Sequence, residues 1–257
     1  MSPAFAIARR EGGELLTSPR GLAWLLAAAF AFTGFALLLV GSTQLGLLDN
    51  AQVVYDMAGM TIALGALLTA VMGVDAVAGD RERGALLPLL ATAAPRRAIL
   101  LGKLGGQALA WLAMVALALP YLWAVGSTGQ NLGAALVGLV LLGTPVALAI
   151  GAGAMALGAR LRSARAALLS ALIGLMLVAS PLAIGPSLRQ SALGRGFDAV
   201  NPFSGAVNAL DAMVIDGQAL AAQGWHLALV FGWLALAYGL ALRALHAPRR
   251  PGEEIVS

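Results

Sequence analysis

Six long apolar segments separated by short charged connections most limit what this chain can fold into. A helix needs about 20 mostly apolar residues to cross a bilayer, and each segment meets or approaches that length. Hydrophobic residues make up 60% of the 257 positions and charged residues 11%. A typical soluble domain is about 25% charged, which argues against a water-soluble fold. The segments are Gly21–Val40, Met57–Ala78, Ile99–Val125, Leu132–Gly158, Ala166–Ile184 and Trp225–Leu245.

The predicted fold class is a single all-α membrane domain over residues 1–257, with six transmembrane helices. With the N-terminus in the cytoplasm, only Arg189 and Arg195 of the 16 Lys and Arg residues fall in outer connections. Cytoplasmic loops carry the excess of Lys and Arg, so both termini, with the tail 246–257, are predicted to be cytoplasmic in a plasma (inner) membrane. Because the basic residues are scattered between spans, topology explains them better than nucleic-acid binding does.

The first 20 residues are predicted to form a short amphipathic helix on the inner membrane surface, which we call the elbow. Gly12 and Gly13 are expected to weaken this helix. Its apolar side chains are expected to face lipid and its charged ones water: Phe5, Ala8, Leu15 and Leu16 on one side, and Arg9, Arg10 and Glu14 on the other.

The last outer connection, residues 185–224, is long enough to carry structure of its own. Its part NPFSGAVNALDAMVIDG has apolar residues at helical spacing, which predicts an interfacial or partly re-entrant helix. Pro181 and Pro186 should kink or stop the preceding span. The helical positions are Val207, Leu210, Met213 and Val214.

The connection between the second and third spans, residues 79–98, concentrates charge around a leucine-rich segment. The second span is predicted to continue through Asp80–Arg83 and to break at Gly84. A short helix Leu86–Thr92 should follow, with Pro88 in its first turn, where a proline costs little. One apolar face would then need lipid or a groove on a partner, and the residues alone do not choose between these. That face comprises Leu86, Leu89, Leu90 and Ala93.

The stretch DAVAGDRERGALLPLLATAAPRRAILLGKLGG resembles the intracellular-loop signature of ABC-2-type transporter permeases. In that family an E-R-E-x-G-T-L-like element precedes a short helix, a small-residue–Pro turn, a basic pair and an L-L-x-G-K entry into the third span. Ala85 and Pro88 depart from the pattern by removing a capping box. The finer resemblance is to the permease of the nitrous-oxide-reductase maturation transporter. The matching residues are Arg81, Glu82, Arg83, Gly84, Leu86, Pro95, Arg96, Arg97, Leu100, Leu101, Gly102 and Lys103.

This resemblance implies that the loop is a coupling helix docked on a separate ABC ATP-binding subunit. It also implies an exporter, formed by a homodimer or by a pair of similar permeases. The chain lacks a G-x-x-x-x-G-K-[ST] phosphate-binding pattern, so we expect no enzyme activity or cofactor here, with ATP and Mg²⁺ in the partner. The residues expected to couple to that partner are Arg81, Glu82, Arg83, Gly84, Leu86, Leu89, Leu90, Pro95, Arg96 and Arg97.

Other polar residues leave alternatives open. Asp75, near the end of a span, is expected to pair with Arg81 or Lys103 rather than conduct ions, and Lys103 is expected to snorkel to the inner surface. A stand-alone secondary transporter would depend on Asp75 and remains an alternative, as does a non-transporting scaffold. His226 and His246 fall at opposite ends of the last span, so no shared metal site is expected. Three methionine sulfurs could form a soft-metal site, but methionines in an apolar protein usually serve packing, and we favour that interpretation. They are Met57, Met60 and Met213.

Overall fold

The structure is a computed structural model that describes residues 2–41, 50–126, 131–180 and 191–246. These ranges form α-helices without any strand, which confirms the all-α prediction. The helices are α1 Pro3–Thr17, α2 Pro19–Gly41, α3 Asn50–Glu82, α4 Leu86–Ala91, α5 Arg96–Gly126, α6 Leu132–Arg160, α7 Ala164–Ala179, α8 Ala192–Val200, α9 Pro202–Val214 and α10 Gly224–His246.

Five of these helices, α2, α3, α5, α6 and α10, are long and apolar enough to cross a membrane. The predicted fifth span corresponds to α7, which is apolar but has 16 residues. Its predicted continuation to Ile184, together with the proposed stops at Pro181 and Pro186, lies outside the described residues. Residue 189 and most of the tail 246–257 also lie outside them.

The two central helices, α3 and α6, each contain one π-helical turn, Asp75–Gly79 in α3 and Leu139–Gly143 in α6. A π turn accommodates one extra residue within an otherwise α-helical segment. The helix α3 continues to Glu82, as predicted, but it begins at Asn50, seven residues before the predicted start of the second span at Met57.

The core is packed around α3, α5, α6 and α9. The indole of Trp111 in α5 is buried and donates from Nε1 to Thr144 Oγ1 over 2.9 Å. A β-carbon at Gly143 would lie 2.8 Å from this ring, so the glycine allows α6 to approach the indole closely. An aromatic side chain with a satisfied donor can therefore fill the centre of the bundle.

The described part of the outer connection contains two α-helices of opposite character. The predicted helix is α9, and it is buried in the bundle, with Phe203 and Leu210 fully buried. Asn201 caps it by accepting from Phe203 N over 2.9 Å and donates to Val178 O of α7 over 2.7 Å. The other helix, α8, was not predicted from the sequence; it has no buried residue and exposes 88% of Leu193.

Candidate functional site at the basic end

The charged connection lies at one end of the bundle, which we call the basic end. Here α3 and α6 end, α5 and α7 begin, and α1 packs across α5. Seven charged side chains bond here to one another or to the ends of neighbouring helices, and we call them the charge clamp. They are Glu11, Asp75, Asp80, Arg81, Glu82, Arg83 and Lys103.

Lys103 of α5 is the buried centre of the charge clamp, with 2% of its surface exposed. Its Nζ lies 2.7 Å from Glu11 Oε1 of α1 and 2.7 Å from Asp80 Oδ2 of α3. A buried charge requires a paired partner, and Lys103 has two. The prediction that Lys103 snorkels to the surface is therefore wrong, because its charge is neutralised inside the protein.

Arg83 extends the charge clamp along α3. Its Nη1 lies 2.9 Å from Asp75 Oδ1, and its Nη2 lies 2.9 Å from Asp80 Oδ1. Asp75 thus pairs with Arg83, eight residues away, instead of with Arg81 or Lys103. The π turn explains this spacing, because its extra residue brings positions eight apart onto the face that positions seven apart share in an α-helix. Hydrogen bonds to Asp75 and then to Asp80 raise the pKa of the Arg83 guanidinium above its ordinary value.

Arg81 and Glu82 hold the turn between α6 and α7. Arg81 donates to Gly158 O over 3.0 Å and to Leu161 O over 2.7 Å, at the end of α6. Glu82 Oε1 accepts from Ala164 N at the start of α7 over 2.7 Å. These contacts satisfy backbone groups at helix ends that lack intrahelical partners. The positive Arg81 lies at the C-terminal end of α6 and the negative Glu82 at the N-terminal end of α7, so each charge is favourable for the helix dipole it meets. Two consecutive side chains of α3 therefore fix the ends of two neighbouring helices.

The short helix α4 turns back onto the bundle because Gly84 adopts a left-handed conformation with φ of +72°. Leu86, with 5% exposed, joins the apolar cluster that contains Leu100 of α5, and Leu90 packs against it. Leu89 is half-buried and Ala93 is exposed. The prediction that these residues form one face for lipid or a partner is thus wrong for Leu86, because the Gly84 turn directs its side chain into the protein.

The outward side of α4 carries other residues, which we call the α4 apex. Leu87 is its largest apolar side chain, with 58% exposed. The Pro95 carbonyl accepts from Ala98 N over 2.8 Å and so helps to begin α5 beside the apex. Leu87 was not predicted as a contact residue. It follows Leu86 directly and therefore lies on a different side of the helix, so the inward direction of Leu86 would have identified it. The α4 apex comprises Leu87, Pro88, Ala91, Arg96 and Arg97, all exposed.

The first helix, α1, lies in a glycine-lined groove of α5. A β-carbon at Gly105 would lie 2.7 Å from Ala8 Cβ, and one at Gly102 would lie 2.6 Å from Ile7 Cβ. Ala8 therefore faces α5, and the prediction that it faces lipid is wrong. Gly12 is buried within α1 and does not interrupt the helix. Gly102 and Gly106 of α5 are four residues apart, which is the small-residue spacing that permits close helix contact.

The remaining candidates form no shared site. Among the described residues, no group of three or more His, Cys, Asp or Glu side chains is arranged to hold a metal. His226 and His246 lie at opposite ends of α10, about 30 Å apart along the helix. Met57 and Met213 are buried in the main apolar core, and the half-buried Met60 packs against this core, which favours the packing interpretation.

The family model described as ABC-2 family transporter protein matches residues 5–247, a range that includes most of the elbow, the charge clamp and all five long helices. No match was found among curated proteins.

Proposed function

The chain belongs to the ABC-2 transporter family, and on that premise we propose that α4 is the element that binds its ATP-binding subunit. Proteins of this family are membrane subunits of ABC transporters, distinct from the ATPase. Membership therefore implies pairing with an ATP-binding subunit. Our proposal names the residues that make this contact and the bonds that transmit motion from it.

The observation that carries the proposal is the contrast between the two sides of α4. Its outward side offers Leu87 and Pro88 beside two exposed cationic residues, Arg96 and Arg97. A short helix with an apolar apex suits a groove on a partner protein. Its inward side anchors Leu86 among residues of α5, α6 and α10.

The charge clamp supports a second part of the proposal, the transmission of motion. The segment before α4 is bonded to α5, α6 and α7 through Asp80, Arg81 and Glu82. It reaches α1 indirectly, because the Lys103 that binds Asp80 also binds Glu11. A displacement of α4 would therefore reach the ends of four other helices together. In this division of roles Arg81, Glu82 and Arg83 transmit the displacement, whereas the α4 apex makes the contact.

The proposed setting is a plasma (inner) membrane with the basic end and both termini in the cytoplasm. Six spans would follow if α7 crosses together with residues 181–184. Two copies, or one copy and a similar permease, would pair through surfaces such as the exposed apolar faces of α2 and α7, where Phe30 and Met176 are 76% and 73% exposed. We also propose export and membership of the nitrous-oxide-reductase maturation branch, both of which the resemblance of the Asp75–Gly106 stretch supports.

A stand-alone secondary transporter receives less support. Asp75, the acid on which that alternative depends, lies at the basic end with 57% of its side chain exposed and pairs with Arg83. A proton or ion relay would be expected to use a titratable group facing the bundle interior or a water-filled cavity.

The test is co-purification of candidate ATP-binding subunits with the full chain carrying Leu87→Asp. We expect loss of most of the bound subunit, because a carboxylate would enter an apolar groove. The matched control is Leu193→Asp on α8, which makes the same change at an exposed leucine of the other end. Normal binding by Leu87→Asp, or equal loss in both variants, would contradict the assignment of α4.

A further inference from the structure

A cavity of about 770 Å³ lies at the basic end, between α1, α2, α3 and α7. It is open to the surroundings rather than enclosed. Pockets that hold ligands of a few hundred daltons typically measure about 300–1,000 Å³. The cavity is therefore large enough for the headgroup of an amphiphile and part of its chains.

The charges around this cavity leave two arginines unmatched. Arg10 pairs with Glu14, and Arg83 pairs with Asp75 and Asp80. The remaining acid of the wall, Glu11, pairs with Lys103. Arg20 of α2 and Arg165 of α7 have no carboxylate within ion-pair distance in the described part of the chain, and both are exposed. The wall thus presents two guanidinium groups, one from each side helix, to an anion.

The cavity becomes apolar away from its charged end. Leu168 follows Arg165 by one turn of α7, and Met72 and Leu68 precede Asp75 by about one and two turns of α3. The cavity is thus charged at the end of the bundle and apolar one or two turns deeper. A membrane leaflet changes in the same way, from charged headgroups to apolar chains.

A shallower hollow continues from the cavity along α2. It shares Arg20 and Trp24 with the cavity and is lined further along by Ala23 and Ala27. Trp24 stands one turn beyond Arg20, a placement typical of aromatic residues at the level of lipid headgroups. The small alanine side chains leave space for an extended chain beside α2.

We propose that this cavity binds an anionic membrane phospholipid, with the phosphate held by Arg20 and Arg165 and the acyl chains against Leu168, Met72 and the alanine face of α2. Guanidinium groups bind phosphate with paired, charge-assisted hydrogen bonds. Basic pockets between transmembrane helices suit anionic headgroups. The site requires no ATP-binding subunit, and only the identity of the leaflet rests on the proposed orientation.

The experiment uses the purified full chain and native mass spectrometry, with phosphatidylglycerol and phosphatidylcholine of identical acyl chains as probes. The wild-type protein should retain phosphatidylglycerol preferentially. The double variant Arg20→Gln with Arg165→Gln removes both charges. It should weaken the retention of phosphatidylglycerol by about fivefold for each arginine removed. The matched control, Arg9→Gln with Arg243→Gln, removes two exposed basic residues outside the cavity and should leave the preference unchanged.

A second variant tests the apolar part without altering charge. Leu168→Trp should fill the cavity and reduce retention of phosphatidylglycerol, and soluble glycerol phosphate should compete poorly because it lacks chains. Equal retention of both lipids by the wild type, or equal losses in the two double variants, would overturn the proposal. Unchanged binding by Leu168→Trp, or full displacement by glycerol phosphate, would overturn the phospholipid assignment as well.

Discussion

The two ends of the molecule hold their helices together by different kinds of contact. At the basic end, long charged side chains bridge neighbouring helices, as Lys103 bridges α1 and α3. At the opposite end, α9 packs inside the bundle through buried apolar side chains such as Phe203 and Leu210. Closely packed apolar interiors do not deform continuously, whereas side chains that span helix ends can follow a shift. We therefore expect motion at the basic end and rigidity at the other.

The largest effect should follow removal of the buried cation. Lys103→Met leaves Glu11 and Asp80 facing each other without their shared partner, and losing one member of a buried ion group costs about 3–5 kcal/mol. Adding Glu11→Gln and Asp80→Asn should recover part of this free energy of unfolding. Unfolding in mixed detergents measures both variants. A fully stable Lys103→Met protein would show that the charge clamp does not hold this end together.

The opposite end should respond to truncation of its apolar core. Leu210→Ala in α9 removes a fully buried side chain, which costs about 2–5 kcal/mol. This loss comes from missing apolar contacts rather than from an unpaired charge. A second substitution that only removes or adds charge should therefore not restore the free energy of unfolding. Equilibrium unfolding gives the magnitude, and a loss below about 0.5 kcal/mol would mean that α9 is not packed as described.

The contact of α1 with α5 should be sensitive to volume alone. Gly105→Leu places a side chain against Ala8 and should cost about 1–3 kcal/mol through overpacking. Limited proteolysis should then cut α1 faster than in the wild type. Gly133→Leu offers a control, because no neighbouring atom lies within 4 Å of a β-carbon at that position. Equal proteolysis of both variants would place α1 away from the glycine groove.

The smallest expected effect concerns the cap of α9. Asn201→Ala removes the acceptor for Phe203 N and should cost about 1 kcal/mol. Asn201→Asp keeps the acceptor and should retain most of the cap, while losing the donor to Val178 O. A melting temperature for Asn201→Asp as low as that of Asn201→Ala would show that the bond to α7 matters more than the cap.

The sequence predicted the helices better than it predicted the partners of their side chains. Apolar length located the five long helices, and Gly84 marked the break after α3, because both signals are local. The direction of Leu86 depended on how the Gly84 turn folds α4 back, which no local pattern specifies. The pairing of Lys103 with Glu11 joins positions 92 residues apart, and the π turn that brings Asp75 to Arg83 has no sequence signature of its own. The glycine spacing in α5 was the one available signal that the prediction of a lipid-facing Ala8 overlooked.

The most direct test of the division between contact and transmission is the double variant Arg81→Gln with Glu82→Gln in the assembled transporter. Binding of the ATP-binding subunit and its ATP hydrolysis rate in lipid nanodiscs would be measured on the same preparation. We expect unchanged affinity for the subunit and loss of the rate increase that assembly produces, because the charge clamp would no longer join α4 to α6 and α7. Weakened affinity with a normal rate per bound complex would contradict this division, since Arg81 and Glu82 would then be contact residues themselves.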